Sequence, residues 1–154
     1  VPVIASSLVL IPAIFAMLGR SRLLGVITGH SGLLGARHLE AAGASCPERL
    51  RIRGMEYAPH FRAVVIEGRA RAEAAIMQRE LLEVADAMAK AEPKLGALLI
   101  ECSNLAAFGK DAAARLGIPV FDISPAISFL RDATQKHACA RQLERRKMDA
   151  FFRV

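Results

Sequence analysis

The apolar positions of this chain fall into short unbroken runs separated by stretches with a three- to four-residue rhythm. Leu23–Thr28 and Leu95–Glu101 are nearly continuous apolar runs with glycine or polar residues at their borders, the pattern of parallel strands covered on both faces. Pro119–Ile123 is a shorter run of the same kind, whereas Leu50–Arg53 alternates with Arg51 and Arg53 and predicts an edge strand. Between these runs the spacing predicts helices over Leu33–Ala42, closed by Gly43, and over Ala106–Leu116. The longest helix is predicted over Ala70–Ala91, with Ala70, Ala74, Met77, Leu81, Val84 and Met88 on one stripe and Pro93 as its stop. That stripe reads as core packing rather than as a methionine-lined groove. Gly54–His60 reads as loop, with a helical turn from Arg62, and Ser124-Pro125 opens a closing helix predicted to reach about Arg131.

Ahead of the first of these strands, Val1–Ala5 reads as a further strand, and Ser6 or Ser7 as the N-cap of an apolar helix running to about Leu18 with Pro12 inside it. Gly19 and the cluster Arg20-Ser21-Arg22 then mark a boundary. The resulting division is 1–19, 20–131, and a basic tail over 132–154.

Alternating strands and helices predict an α/β fold: a parallel four-stranded sheet flanked by helices and joined by right-handed crossovers. With the Leu50 strand outside the Leu23 strand, and the Leu95 and Pro119 strands on its other side, the order reverses between the ends at Thr28 and Glu101. Ligands collect at such a switch point. The predicted crevice is walled by Thr28, Gly29, His30 and Ser31 on one side and by Cys102, Ser103 and Asn104 on the other.

Cys102 stands where a buried strand gives way to a helical stretch, and a thiol near a helix N-terminus is pushed towards thiolate. Two readings stand, a reactive thiol or a buried structural cysteine. His30, across the crevice, is a candidate thiolate partner or a solvent-facing loop residue. Ser103, Asn104, Thr28, Ser6 and Ser7 offer hydroxyls, an amide and helix-entry N–H groups that suit a carboxylate, the alternative for Ser6 and Ser7 being simple capping. Asp122 is a candidate site residue or a cap. His38, His60 and His137 lack ligand spacing, so no metal is expected.

The chain has 154 residues, is 53% hydrophobic and 23% charged, and is therefore long and apolar enough to bury a sizeable core. Its net charge of +6 is concentrated in the last two dozen residues, around Arg145-Arg146-Lys147, and one Tyr and seven Phe give little for bases to stack on. Nucleic acid is therefore not an expected partner. Three cysteines without a CxxC pair argue against a zinc site and a disulfide framework, and fit a cytoplasmic setting. The first nineteen residues are nearly uncharged, but Pro2 and Pro12 interrupt them and no basic region precedes them, so neither a signal peptide nor a membrane span is expected.

Glu101-Cys102-Ser103-Asn104, with Gly117-Ile118-Pro119-Val120-Phe121-Asp122-Ile123 downstream, resembles the carboxyl-terminal half of the aspartate/glutamate/hydantoin racemase superfamily, where the usual forms are E-C-T-N and G-[LI]-P-V-[FY]-D. Val1-Pro2-Val3 with Ser6-Ser7-Leu8, then Leu24-Gly25-Val26-Ile27-Thr28, then His38-Leu39-Glu40-Ala41-Ala42-Gly43 fall in the order that family shows, so the resemblance covers roughly residues 1–130. It implies one Rossmann-like half of a pseudo-symmetric two-domain fold, with 1–19 the remnant of a first domain and the chain beginning part-way through a longer protein.

The activity it implies is cofactor-independent proton transfer at the carbon next to a carboxylate, on a small carboxylic or amino acid, with Cys102 as acid or base. The resemblance puts the partner cysteine in the first domain, ahead of the segment equivalent to Val1; Cys46 and Cys139 match no family position. Three readings are open: a truncated racemase with impaired activity, a relative of the single-cysteine decarboxylases of the same superfamily, or a catalytically silent binding module. In the last, an exposed half-domain surface pairs with another chain, including a second copy.

Overall fold

Alternation along two apolar runs sets the architecture of the computed structural model, which describes residues 3–135. Strands β1 (Leu23–Thr28), β2 (Leu50–Gly54), β3 (Leu95–Ile100) and β4 (Val120–Phe121) form one four-stranded sheet in the order β2-β1-β3-β4. Every neighbouring pair is parallel, so the chain has the α/β fold and the strand order expected from its sequence.

Leu24 and Val26 of β1, with Ala97 and Leu99 of β3, turn to one face. Leu8 from a 3₁₀ turn (Ser7–Leu10) and Ile11 and Ile14 from α1 (Ile11–Met17) cover it. Pro12 sits in the first turn of α1, where its missing N–H leaves no helical bond unmade. Arg49 fastens this layer. Its guanidinium lies 4.4 Å from the Phe15 ring centroid and donates to the Gly19 and Arg22 carbonyls. The segment ahead of β1 thus supplies much of the cover on this face. The expected strand over Val1–Ala5 is not formed in its described part: residues 3–6 carry no strand pairing and run across the carboxyl end of the sheet instead. There Ser7 donates its hydroxyl to the Ile100 carbonyl at 3.2 Å.

Ile27, Leu98 and Ile100 face the opposite way, into a core completed by Phe61 of the short α3 (Pro59–Phe61), by Met77, Leu81, Ala85 and Met88 of α4 (Ala74–Ala91), and by Ala112 of α5 (Gly109–Leu116). The Leu, Ile, Met and Phe side chains among these, when fully buried, contribute about 1.5–3 kcal/mol each. Between Leu23 and Leu24 the register on β3 jumps from Leu95 to Ala97, so Gly96 is an extra residue. The bulge turns Leu95 onto the α4 face, and a Cβ at Gly96 would stand 2.8 Å from Leu18 and 2.9 Å from Arg22.

Several helices depart from expectation. The stretch read as Leu33–Ala42 splits into a 3₁₀ turn (Ser31–Leu33) and α2 (Ala36–Ala41), because Gly35 is extended at the break; Gly43 closes α2 at φ +73° as expected. The helix read from Ala70 starts at Ala74, after a π turn (Arg62–Ile66) and Gly68 in the left-handed region. The Ala106–Leu116 helix is α only from Gly109, the preceding Ser103–Phe108 being 3₁₀. The closing helix occupies residues 123–135, past the expected end at Arg131. The rest of the basic tail, with Cys139 and His137, lies outside the described residues.

Candidate functional site

The carboxyl ends of β1 and β3 lie side by side at the point where the strand order reverses, and a cleft of about 550 Å³ opens over them. Thr28, Gly29 and His30 lead from β1 into it, Glu101, Cys102 and Ser103 lead from β3, and Ser6 and Ser7 reach it from the turn ahead of α1. Leu33 and His38 stand on the α2 side, and Ile123 and Ile127 on the closing helix. The topology thus brings Cys102, Ser103, Thr28, Ser6, Ser7 and His30 to one place.

Asn104 meets the Cys102 sulfur through its N–H and side chain but does not line the cleft. The 3₁₀ geometry after Cys102 carries it to a separate, smaller depression with Val64, Val65 and Phe108, and Ser31, expected on the crevice wall, is drawn away to Glu56. Asp122 accepts the Ser124 N–H at 2.7 Å and so caps the closing helix.

Glu101 is the group that sequence reasoning passed over. Its two carboxylate oxygens are held from opposite sides, Oε1 by the Ser6 hydroxyl at 3.0 Å and Oε2 by the Thr28 hydroxyl at 2.9 Å. Thr28 is buried, so its donor is poorly replaced by water. Ser6 meanwhile accepts the Leu8 N–H at 3.2 Å, so this one hydroxyl caps the first turn and binds the carboxylate.

Cys102 is half-buried, with its sulfur 3.8 Å from where a Cβ on Gly29 would lie and beside the Phe61 ring. Burial pushes its thiol above the ordinary range and the Glu101 charge pushes the same way; the Asn104 N–H and side chain and the Leu105 N–H oppose without reversing it. Cys102 opens a 3₁₀ turn beside a carboxylate rather than the α-helix whose N-terminus would favour thiolate. His30 lines the same cleft, but among the described residues no hydrogen bond joins it to Cys102; its Nδ1 accepts the Gly32 N–H at 3.2 Å. His38, unassigned by the sequence, accepts the Gly35 N–H on Nδ1 at 3.0 Å.

A second carboxylate steadies the rim. Glu56, from the loop after β2, takes the Ser31 N–H at 3.1 Å and a further bond from the Ser31 hydroxyl. Burial pushes the Glu56 carboxyl up, but the two Ser31 donors, its own N–H and the charge of His30 outweigh it and hold the group below its usual range. Gly54 leaves the room for this return: any Cβ there would meet Glu56 and the Ser31 backbone.

Among the described residues no three His, Cys, Asp or Glu side chains gather closely enough to hold a metal ion, and no helix is long and apolar enough to cross a membrane. No protein-family profile matches this chain, and comparison with curated proteins and with solved structures returns no match.

Proposed function

We propose that the cleft is a proton-transfer site acting at the carbon next to a carboxylate, with Cys102 as the acid–base group, the activity that the resemblance to the aspartate/glutamate/hydantoin racemase superfamily implies. The observation that carries the reading is the placement of a half-buried thiol at the β1/β3 switch point, in a cleft that also holds hydroxyls and two imidazoles. A small carboxylic or amino acid with its carboxylate against the Ser103, His30 and His38 donors would present its neighbouring carbon to the sulfur.

The raised thiol favours delivery of a proton over its removal. In a two-thiol racemisation Cys102 returns the proton to the planar carbanion in one direction and removes it in the other. In the second reading, a decarboxylation, loss of carbon dioxide from a 2-substituted malonate leaves an enediolate; the Cys102 S–H protonates its carbon, and water restores the thiol. Both use the same step. Inversion also needs a group on the opposite face, and Cys46, in the loop after α2, does not line the cleft.

The test is isotopic. The chain is incubated in D₂O with aspartate, glutamate and 2-substituted malonates, and deuterium at the carbon next to the carboxylate is monitored by NMR. Wild-type protein is expected to incorporate deuterium with at least one of these acids and Cys102→Ala to lose it; equal incorporation by both, or none with any acid, overturns the proposal.

A further inference from the structure

We infer that Glu101 is a positioning residue for Cys102: clamped between the Ser6 and Thr28 hydroxyls, it fixes a negative charge beside the sulfur and so commits the thiol to the proton-donating role. The inference rests on the proposed function for its chemical meaning, but its geometry stands independently.

An unrestrained glutamate on a loop turns to solvent and leaves little net field at its neighbour. Glu101 has no such freedom, because each oxygen is engaged by a hydroxyl from a different segment, one ahead of α1 and one at the end of β1. It is also the only carboxylate among the described residues that lines the cleft. The ionisable groups facing Cys102 across the cleft are His30 from the loop after β1 and His38 from α2; the turn ahead of α1 presents only Ser6 and Ser7, and the closing helix presents Ile123 and Ile127. The 3₁₀ turn after Cys102 contributes Ser103 and the N–H groups of Asn104 and Leu105. No Lys or Arg stands among these groups to neutralise Glu101. The clamp uses hydroxyl donors, which orient the carboxylate without cancelling its charge.

A carboxylate fixed in this way opposes a thiolate and leaves a thiol undisturbed. Delivery of the S–H proton to carbon generates the thiolate only transiently, and the same charge speeds recapture of a proton from water.

The experiment reads ionisation, not turnover: the pH profile of iodoacetamide labelling at each cysteine of the full chain, by peptide mass spectrometry, in wild type and in Glu101→Gln. Removal of the charge is expected to lower the Cys102 midpoint by about one pH unit, equivalent to roughly tenfold more thiolate at a given pH below it, while the Cys46 profile stays where it is. Glu101→Met, neutral and similar in length, replaces Glu101→Gln if the amide variant does not fold, and far-UV circular dichroism reports which variant is folded. A Cys102 midpoint that stays put or rises in the folded neutral variant overturns the inference. A midpoint that falls, in a protein that moves no deuterium into any acid, upholds the positioning role and removes the proton-transfer reading instead.

Discussion

The Thr28 hydroxyl donates to Glu101 Oε2 across 2.9 Å, joining the carboxyl ends of the two central strands above the last of their backbone pairings. The Glu101 N–H in turn donates to the Ile27 carbonyl at 2.8 Å, so backbone and side chain hold the same junction. A hydrogen bond from a buried hydroxyl to an ionised carboxylate is worth about 1.5–3 kcal/mol. Thr28→Val, which keeps the shape and removes the donor, is expected to lower stability by about that amount, read as a lower urea midpoint at an unchanged m-value.

Gly25 lies mid-strand in β1, where a Cβ would run into the Met88 sulfur and stand 3.0 Å from Leu98 and 3.1 Å from Leu95. All three neighbours are buried, so none can swing clear. Gly25→Ala is expected to cost about 1–3 kcal/mol by overpacking. Calorimetry checks this as a fall of several degrees in Tm, partly recovered when Met88 is also shortened.

Glu80 is a buried acid inside an apolar stripe, and its oxygens accept the His60 and Phe61 N–H groups at 2.7 and 2.8 Å. It caps α3 from α4. Glu80→Ala strands two backbone donors, at about 1–3 kcal/mol each, and is expected to accelerate amide hydrogen exchange over residues 60–66 before the rest of the fold is affected.

Acid stability is expected to depend on Glu56. Its carboxyl is held below the usual range in the folded chain, so its contribution is complete above the unfolded value of about 4.3 and disappears as pH falls through the lower folded value. Glu56→Gln, already uncharged, is expected to flatten the acid limb of a stability-against-pH curve below about pH 4.3. An equally steep limb in the variant contradicts this assignment.

The strands are legible in the sequence because each is an apolar run with a glycine or polar border, and their order comes from connecting parallel neighbours through helices. The carboxylates are not. Glu56, Glu80 and Glu101 take their roles from hydroxyls and N–H groups 19 to 95 residues away in the chain, and no local pattern announces such a partner. Alanine-rich residues 70–73 have helical composition, yet the Glu73 N–H is turned to the His60 ring at 3.1 Å instead of continuing a helix. Asn104 lies off the expected wall for a related reason: a 3₁₀ turn advances about 120° per residue against about 100° in an α-helix, enough to move a side chain from one depression to the next. The sequence does offer one signal for Glu101, its position as a lone acid at the end of a buried strand. Burial there demands donors, and Thr28 already stands on the facing wall.

Ser6 gives the segment ahead of α1 a hold on the charge that faces the sulfur. Docking of that segment and ionisation at the cleft are thermodynamically linked, and linkage acts in both directions. Whatever binds over Glu101 and strengthens its grip on Ser6 also fastens the first turn to the sheet, and whatever peels that turn away releases the carboxylate to solvent. The first residues of the described chain therefore work as a hasp on the cleft, and resistance of that segment to proteolysis becomes a readout of what the cleft contains.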